Sequence, residues 1–272
     1  MVRILVTNDD GIDSVGLHIL ARSMRQFGDV SIVAPDQEYS GAGAAIGALW
    51  LMQPEVHEAH VEGLNTTWAV SGPPALCVMF ARLGAFGPVP DLIVSGINPG
   101  ANVGRSVYHS GTIGAAVTGR NGGIPGVAVS QAVTDFGVEG QAWEDTLVNQ
   151  KWDVAAAVAA CAVEALLEEP PDEAGVLNIN VPNLDLADIK GHRWTEVGYG
   201  PPRAMSKATL EPKPGHEGSY RVNMNWGETV EPPAGSDTAA VIDEAISLTW
   251  LSRVTALDQA TPAIDAGLDQ LL

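Results

Sequence analysis

Short apolar runs alternate with amphipathic stretches over the first half of the chain. Short β-branched and aliphatic runs bounded by turn residues predict buried strands, and apolar residues spaced three and four apart predict helices. This alternation predicts an α/β fold with a three-layer, Rossmann-like, mostly parallel sheet. The predicted strands cover residues 2–7, 30–34, 66–70, 91–95 and 127–130, and the predicted helices cover 15–24, 73–83 and 110–120.

The pattern changes in the second half of the chain. An Ala-rich helix is predicted over 152–169, a strand over 176–182, and another apolar strand pattern lies within 238–251. The intervening segment is rich in Pro, Gly, Lys and Arg, which favours an extended C-terminal β-hairpin or arm. We therefore expect three parts: an α/β catalytic core over 1–182, a β-rich arm over 183–235 that serves oligomerisation, and a C-terminal strand and tail over 236–272 that returns to the core.

Composition and charge narrow the classes of function. The chain has 272 residues, of which 46% are hydrophobic and 17% charged, as in an ordered globular protein. Its formal net charge of −19 repels polynucleotide phosphate and anionic membranes, but it does not exclude a small phosphorylated substrate. No apolar stretch is long enough to span a bilayer, and the N-terminus lacks a signal-peptide pattern. A cytoplasmic protein is the expectation.

The two cysteines, Cys77 and Cys161, both lie in apolar segments that are predicted to be helical. Small apolar neighbours on both sides predict buried, unreactive side chains rather than a disulfide or a pair of metal ligands.

Two adjacent carboxylates, Asp9 and Asp10, follow the first predicted strand directly, and Gly11 comes next. Ligands of open α/β sheets bind at the carboxyl ends of the strands. Two acids there repel each other unless a hard cation, which prefers carboxylate oxygens, lies between them. A solvated Asx turn, in which Gly11 supplies a left-handed conformation, explains the same residues. The tetrapeptide alone leaves both interpretations open.

Two further loops follow strands and are expected at the same edge. Residues 38–43 contain glycines that permit close backbone approach and Ser40, which offers a hydroxyl oxygen. Residues 95–104 contain Asn98, whose amide oxygen suits a hard cation. Either loop taken alone is compatible with an ordinary turn.

The segment 109–116 begins a predicted helix with small residues. Ser110 or Thr112 can cap this helix, and small residues would leave its first N–H groups open to an anion such as phosphate. Simple capping followed by tight packing explains the segment equally well. Considered jointly, an oxygen-only metal site and a phosphate-binding helix start favour hydrolysis of a phosphoryl group.

Several of these motifs together resemble the SurE family of metal-dependent 5′/3′-nucleotidases. The resemblance is strong over residues 1–131, and it recurs in the C-terminal half. The segments that carry it are 8–14 (NDDGIDS), 33–36 with 40–41, 94–98 with 100–102, 110–112 (SGT), 177–182 and 235–238.

The resemblance implies hydrolysis of nucleoside 5′/3′-monophosphates to nucleoside and phosphate with Mg²⁺ or Mn²⁺. It implies assembly into a homodimer or homotetramer, and it leaves open whether a carboxylate or a water molecule attacks phosphorus. By this resemblance the catalytic residues are Asp9 and Asp10, the metal ligands are Asp9, Asp10, Ser40 and Asn98, and the phosphate-binding residues are Asn98, Asn102, Ser110, Gly111 and Thr112.

Several positions depart from the family pattern, and three of them lie just before the predicted phosphate-binding turn. Arg105 and Ser106 stand where acids are usual, and His109 stands where a Tyr is usual. His109 would be placed to donate a proton to a leaving oxygen. These changes support an alternative, a catalytically weakened nucleotide-binding paralogue on the same fold. A redox enzyme is a weaker rival, because the first strand is not followed by G-x-G-x-x-G.

Overall fold

The computed structural model describes residues 1–47, 53–133, 147–199, 203–252, 254 and 268. Residues 200–202 of the predicted arm and most of the predicted tail after 252 lie outside the described residues. The strands are β1 (Val2–Thr7), β2 (Gly28–Pro35), β3 (Val56–Glu58), β4 (Thr66–Val70), β5 (Leu92–Pro99), β6 (Gly126–Gln131), β7 (Val176–Val181), β8 (His192–Trp194), β9 (Arg203–Pro212), β10 (Tyr220–Thr229) and β11 (Ile246–Leu251). The helices are α1 (Val15–Met24), α2 (Pro74–Arg82), α3 (Gly111–Arg120), α4 (Trp152–Glu168) and α5 (Asp237–Ile242).

The main sheet has the strand order β3-β4-β2-β1-β5-β6-β7-β11-β8. Every pairing from β4 through β7 is parallel, while β3 and β11 pair antiparallel with β4 and β7. The predicted mostly parallel α/β fold is confirmed. The C-terminal hairpin extension is also present, because β9 and β10 form a separate antiparallel pair.

Side chains of the central strands alternate between two helical layers. Ile4 and Val6 point into the apolar layer that contains α1 and α4, whereas Leu5 points into the layer of α2 and α3. All three are almost completely buried. Burying one such aliphatic side chain contributes about 1.5–3 kcal/mol, so the sheet is fixed in place on both faces.

The C-terminal segment differs from the expectation. The strand predicted within 238–251 is present as β11 (Ile246–Leu251), whereas the first part of this segment forms helix α5, which was not predicted. The Ser236 side chain caps α5 by accepting a hydrogen bond from the Ala239 N–H at 3.2 Å. A Ser followed by small residues is a helix-start signal, and it outweighs the apolar pattern here.

The two cysteines have different environments. Cys77 is buried as predicted, and both thiols are free. Cys161 is exposed, so the prediction that it is buried was wrong. Helix α4 buries only one stripe of small residues, which includes Ala155, Ala159 and Val163, and Cys161 lies away from that stripe. In the part of the chain that the structure describes, no helix is long and apolar enough to cross a membrane.

Candidate active site

The carboxyl ends of β1, β2 and β5 meet at one edge of the sheet because these strands are parallel neighbours. The loops that follow them enclose a cavity of about 410 Å³. Five predicted site residues line it, namely Asp9, Ser40, Asn98, Asn102 and Ser110. Asp10 instead lines an adjoining cavity of about 340 Å³, and Glu38 and Pro99 line both cavities.

The Asp9 carboxylate is almost completely buried, with 3% of the residue exposed. Its Oδ1 accepts a hydrogen bond from the Thr112 hydroxyl at 2.5 Å, and its Oδ2 accepts one from the Gly111 N–H at 3.1 Å. Burial raises the pKa of Asp9, although these hydrogen bonds lower it in part. Such an environment excludes the solvated Asx turn for Asp9.

Helix α3 reaches Asp9 only because its first residue has no side chain. A Cβ atom on Gly111 would lie 2.7 Å from the Asp9 Cβ and 2.8 Å from its Oδ2. The sequence suggested that the first N–H groups of this helix are open, but the Gly111 N–H is occupied by Asp9. The N-terminus of helix α3 therefore binds a carboxylate of the protein itself, and the positive end of the helix dipole favours this contact.

Asp10 differs from Asp9 in that one of its carboxylate oxygens is not hydrogen-bonded. Its Oδ2 is buried and has no hydrogen-bond partner. Burial, followed by the negative charges of Asp9 and Glu38, raises the pKa of Asp10 to about 8. A carboxyl group with this pKa is mostly protonated at neutral pH until a positive charge approaches it.

Backbone hydrogen bonds tie the surrounding loops together. The Tyr39 N–H donates to the Asp9 carbonyl at 2.7 Å, which fixes the loop of Ser40 against the end of β1. The Gly43 N–H donates to the His109 carbonyl at 2.9 Å and so joins the same loop to the segment before α3. Gly11 adopts the left-handed conformation expected from the sequence, with φ +101°.

The neutral polar residues of the site differ in which of their side-chain atoms are already hydrogen-bonded within the protein. The Asn98 amide nitrogen donates to the Gly100 carbonyl at 2.7 Å, which leaves the amide oxygen for a ligand. The Ser110 hydroxyl accepts from the Ile113 N–H at 3.1 Å, so Ser110 is the predicted N-cap. In contrast, the Asn102 amide nitrogen donates a hydrogen bond to the hydroxyl of buried Ser130 at 2.9 Å.

Of the three divergent positions before the predicted phosphate-binding turn, two line the 410 Å³ cavity. Ser106 and His109 belong to its wall, whereas Arg105 is exposed and is not among the lining residues. The Ser106 hydroxyl donates to the Val103 carbonyl at 2.6 Å. Ser106 therefore stabilises the turn before His109 where an acid would have added negative charge.

Sequence reasoning did not assign a role to Glu38. Its carboxyl group raises the pKa of Asp10 and borders both cavities. Its position between a strand end and a glycine-rich loop was the available signal. Proximity to Asp10, however, depends on the turn that follows β2.

Comparison with known proteins agrees with this geometry. A sequence profile of the family described as Survival protein SurE matches residues 4–202. The chain belongs to the SurE family. Two SurE relatives, both named 5′/3′-nucleotidase SurE, come from Erwinia tasmaniensis (37% identity over 255 residues) and Escherichia coli (36% over 251 residues). Each comparison covers 92% of this chain and 90% of the relative. The crystal structure of the SurE protein from Aquifex aeolicus superposes with a TM-score of 0.72 at 29% identity, over 99% of both chains.

Proposed function

We propose that this SurE protein is a divalent-metal-dependent phosphomonoesterase that hydrolyses nucleoside 5′/3′-monophosphates to nucleoside and phosphate. The observation that carries the proposal is the buried pair Asp9 and Asp10 at the junction of two cavities. The name 5′/3′-nucleotidase of the SurE relatives supports the same activity.

The residues at the junction fit a hard cation such as Mg²⁺ or Mn²⁺. Asp10 carries a buried oxygen with no partner, and the donors are two carboxylates, the Ser40 hydroxyl and the Asn98 amide. Mg²⁺ is often held by one or two carboxylates with water completing its shell. Consistent with so few acidic ligands, no group of three or more His, Cys, Asp or Glu with metal-binding geometry occurs among the described residues.

In this proposal Asp9 and Asp10 hold the cation, with Ser40 and Asn98 as neutral ligands. A bound divalent cation would neutralise phosphate charge and lower the pKa of water at the site. Gly111 and Thr112 orient Asp9 by their hydrogen bonds. Asp9 or Asp10 would serve as the general base or nucleophile, and Asp10 has the oxygen that no protein group engages.

The phosphate group would lie in the 410 Å³ cavity. Ser110 offers its hydroxyl, and the side chains of Asn98 and Asn102 border the same space. Gly111 and Thr112 support the phosphate indirectly through Asp9. His109 lies in the cavity wall, where it would donate a proton to the leaving oxygen.

The adjoining 340 Å³ cavity supports a monophosphate ester of a neutral group as the substrate. Its wall combines the apolar side chains of Leu147 and Trp152 with the carboxyl groups of Asp13 and Glu38. These acids repel additional phosphate groups, whereas they accept hydrogen bonds from hydroxyl and amino groups. A nucleoside has both the apolar faces and the donors that such a wall requires.

Release of inorganic phosphate from a panel of nucleoside 5′- and 3′-monophosphates tests the proposal. We expect turnover with Mn²⁺ or Mg²⁺ and its loss in EDTA, in Asp9→Asn and in Asp10→Asn. Asp91→Asn is the matched control, because Asp91 lies at the opposite end of the same sheet and pairs with Arg3 at 2.5 Å. Nucleotide binding without turnover would instead identify the weakened paralogue.

We further propose that the arm serves self-association, as a homodimer or homotetramer. Leu210, Tyr220, Val222 and Met224 are exposed, and the strand register places them on one face of the β9–β10 hairpin. A two-stranded hairpin is marginally stable alone, so a second copy of the chain would cover this face. Light scattering should give a multimer for the full chain and a smaller species for Val222→Asp.

A further inference from the structure

Asp237 has a completely buried carboxylate. In the sequence it is far from Asp9 and Asp10, the two carboxylates proposed to hold the cation. Its Oδ2 accepts a hydrogen bond from the Gly104 N–H at 2.9 Å. Its Oδ1 accepts from the Gly198 N–H at 2.9 Å, from the Thr238 N–H at 2.7 Å and from the Thr238 hydroxyl at 3.3 Å. All of these donors are neutral, so the carboxylate acts as a fixed acceptor that joins three segments.

Gly104 lies in the segment that carries the cavity wall. It begins the 3₁₀ turn Gly104–Tyr108, which leads directly to His109 and Ser110. The His109 carbonyl in turn accepts from Gly43, three residues after Ser40. A displacement of Gly104 would therefore be transmitted to the helix cap and to the Ser40 loop, whereas the backbone of Asn98 is held in β5 by its pairing with β6.

We propose that Asp237 is a positioning residue that places the Gly104–Ser110 segment for phosphate binding. This inference rests on the proposed function of the cavity. Asp237 touches neither the cavity nor the expected ligands, and it acts through the Gly104 N–H. Val241 from α5 and Val103 belong to one buried apolar cluster, which also connects α5 with this segment.

Asp237→Asn tests the connection selectively. The oxygen of an Asn side chain will remain on the side of Gly198 and Thr238, where several donors converge. Its NH₂ group then faces the Gly104 N–H, donor against donor, and the segment must shift. Because a misplacement of 1 Å can cost about 100-fold in rate, we expect kcat/KM to fall by about 10–100-fold.

The deciding measurement is calorimetric titration with inorganic phosphate in the presence of Mn²⁺. We expect the Kd to rise about 5–10-fold in Asp237→Asn with a stoichiometry near that of the wild type. A merely structural role would lower the stoichiometry and leave the Kd unchanged. Ser236→Ala is the matched control, since it removes the cap of α5 but leaves the Gly104 contact.

An unchanged Kd in folded Asp237→Asn, or an equal rise in Ser236→Ala, would overturn the inference. Gly198→Ala decides the matter if Asp237→Asn does not fold, because a Cβ there lies 3.1 Å from the Asp237 Oδ1 and must displace it. A rise in its Kd supports positioning, and an unchanged Kd refutes it. Failure of the wild type to hydrolyse nucleotides would reject the proposed function. The phosphate titration would still test whether Asp237 positions the Gly104–Ser110 segment.

Discussion

The two adjacent acids of the site are expected to respond differently to the same substitution. Asp9 accepts hydrogen bonds on both oxygens, whereas the buried Oδ2 of Asp10 has no partner. Replacing Asp10 by Asn removes a group that cannot ionise freely in the folded protein. We predict that Asp10→Asn increases the free energy of unfolding of the metal-free protein, and that Asp9→Asn gives a smaller gain because it weakens the bonds from Thr112 and Gly111.

The magnitude follows from the pKa of Asp10, which rises from 3.8 to about 8 on folding. Between these values the unfolded chain has released this proton and the folded chain has kept it, so stability falls as pH rises. Each pKa unit corresponds to about 1.4 kcal/mol. The stability gain of Asp10→Asn should therefore grow by about 3 kcal/mol between pH 5 and pH 7 and level off above pH 8.

Urea unfolding in EDTA at pH 5, 6, 7 and 8 measures this gain. Asp13→Asn is the control, because it removes a nearby negative charge from an exposed residue. Excess Mn²⁺ should reverse the order of stability, since a cation that binds the native wild type stabilises it. A difference between Asp10→Asn and the wild type that does not change with pH would refute the reasoning about burial.

Three further substitutions or measurements examine other parts of the site and core. Gly111→Ala should lower the free energy of unfolding by about 1–3 kcal/mol in thermal or urea unfolding, because its Cβ would press on Asp9. Asn98→Ala should raise the Mn²⁺ concentration needed for half-maximal activity but leave measurable turnover, because it removes a neutral ligand, whereas Asp9→Asn should abolish turnover. Wild-type behaviour of Asn98→Ala would contradict the assignment of Asn98 as a ligand. A thiol reagent should label Cys161 in the native protein but not Cys77, whose pKa is raised by burial; rapid labelling of both would contradict this.

The convergence of the site loops was predictable because it depends on topology alone. Parallel strands with helical crossovers place all carboxyl ends at one edge, so Asp9, Ser40 and Asn98 could be assigned to one region from the order of elements. The distribution of these residues between two cavities could not be predicted. It depends on which way each side chain leaves its strand end, and on the turn that brings Glu38 against Asp10.

The interaction made by the N-terminus of helix α3 could not be predicted from the sequence either. The pattern from Ser110 to Thr112 indicates a helix N-terminus, and that cap is present. The sequence does not reveal that the group nearest this terminus is a side chain more than a hundred positions earlier. Gly104 and Asp237 are likewise more than a hundred positions apart in the sequence, and Asp237 follows the Ser236 cap of α5.

These two long-range contacts hold one buried acid within the site and one behind its wall. Asp9 and Asp237 each direct both carboxylate oxygens at neutral donors of the chain, which hold the two side chains in fixed orientations. Asp10 differs because its buried Oδ2 has no hydrogen-bond partner and the negative charges of Asp9 and Glu38 act on it. The Asp9 carboxylate is thus oriented by helix α3, whereas its neighbour Asp10 keeps one buried oxygen without a partner. A divalent cation bound between these two carboxylates would compensate the unpartnered oxygen and the repulsion between the acids.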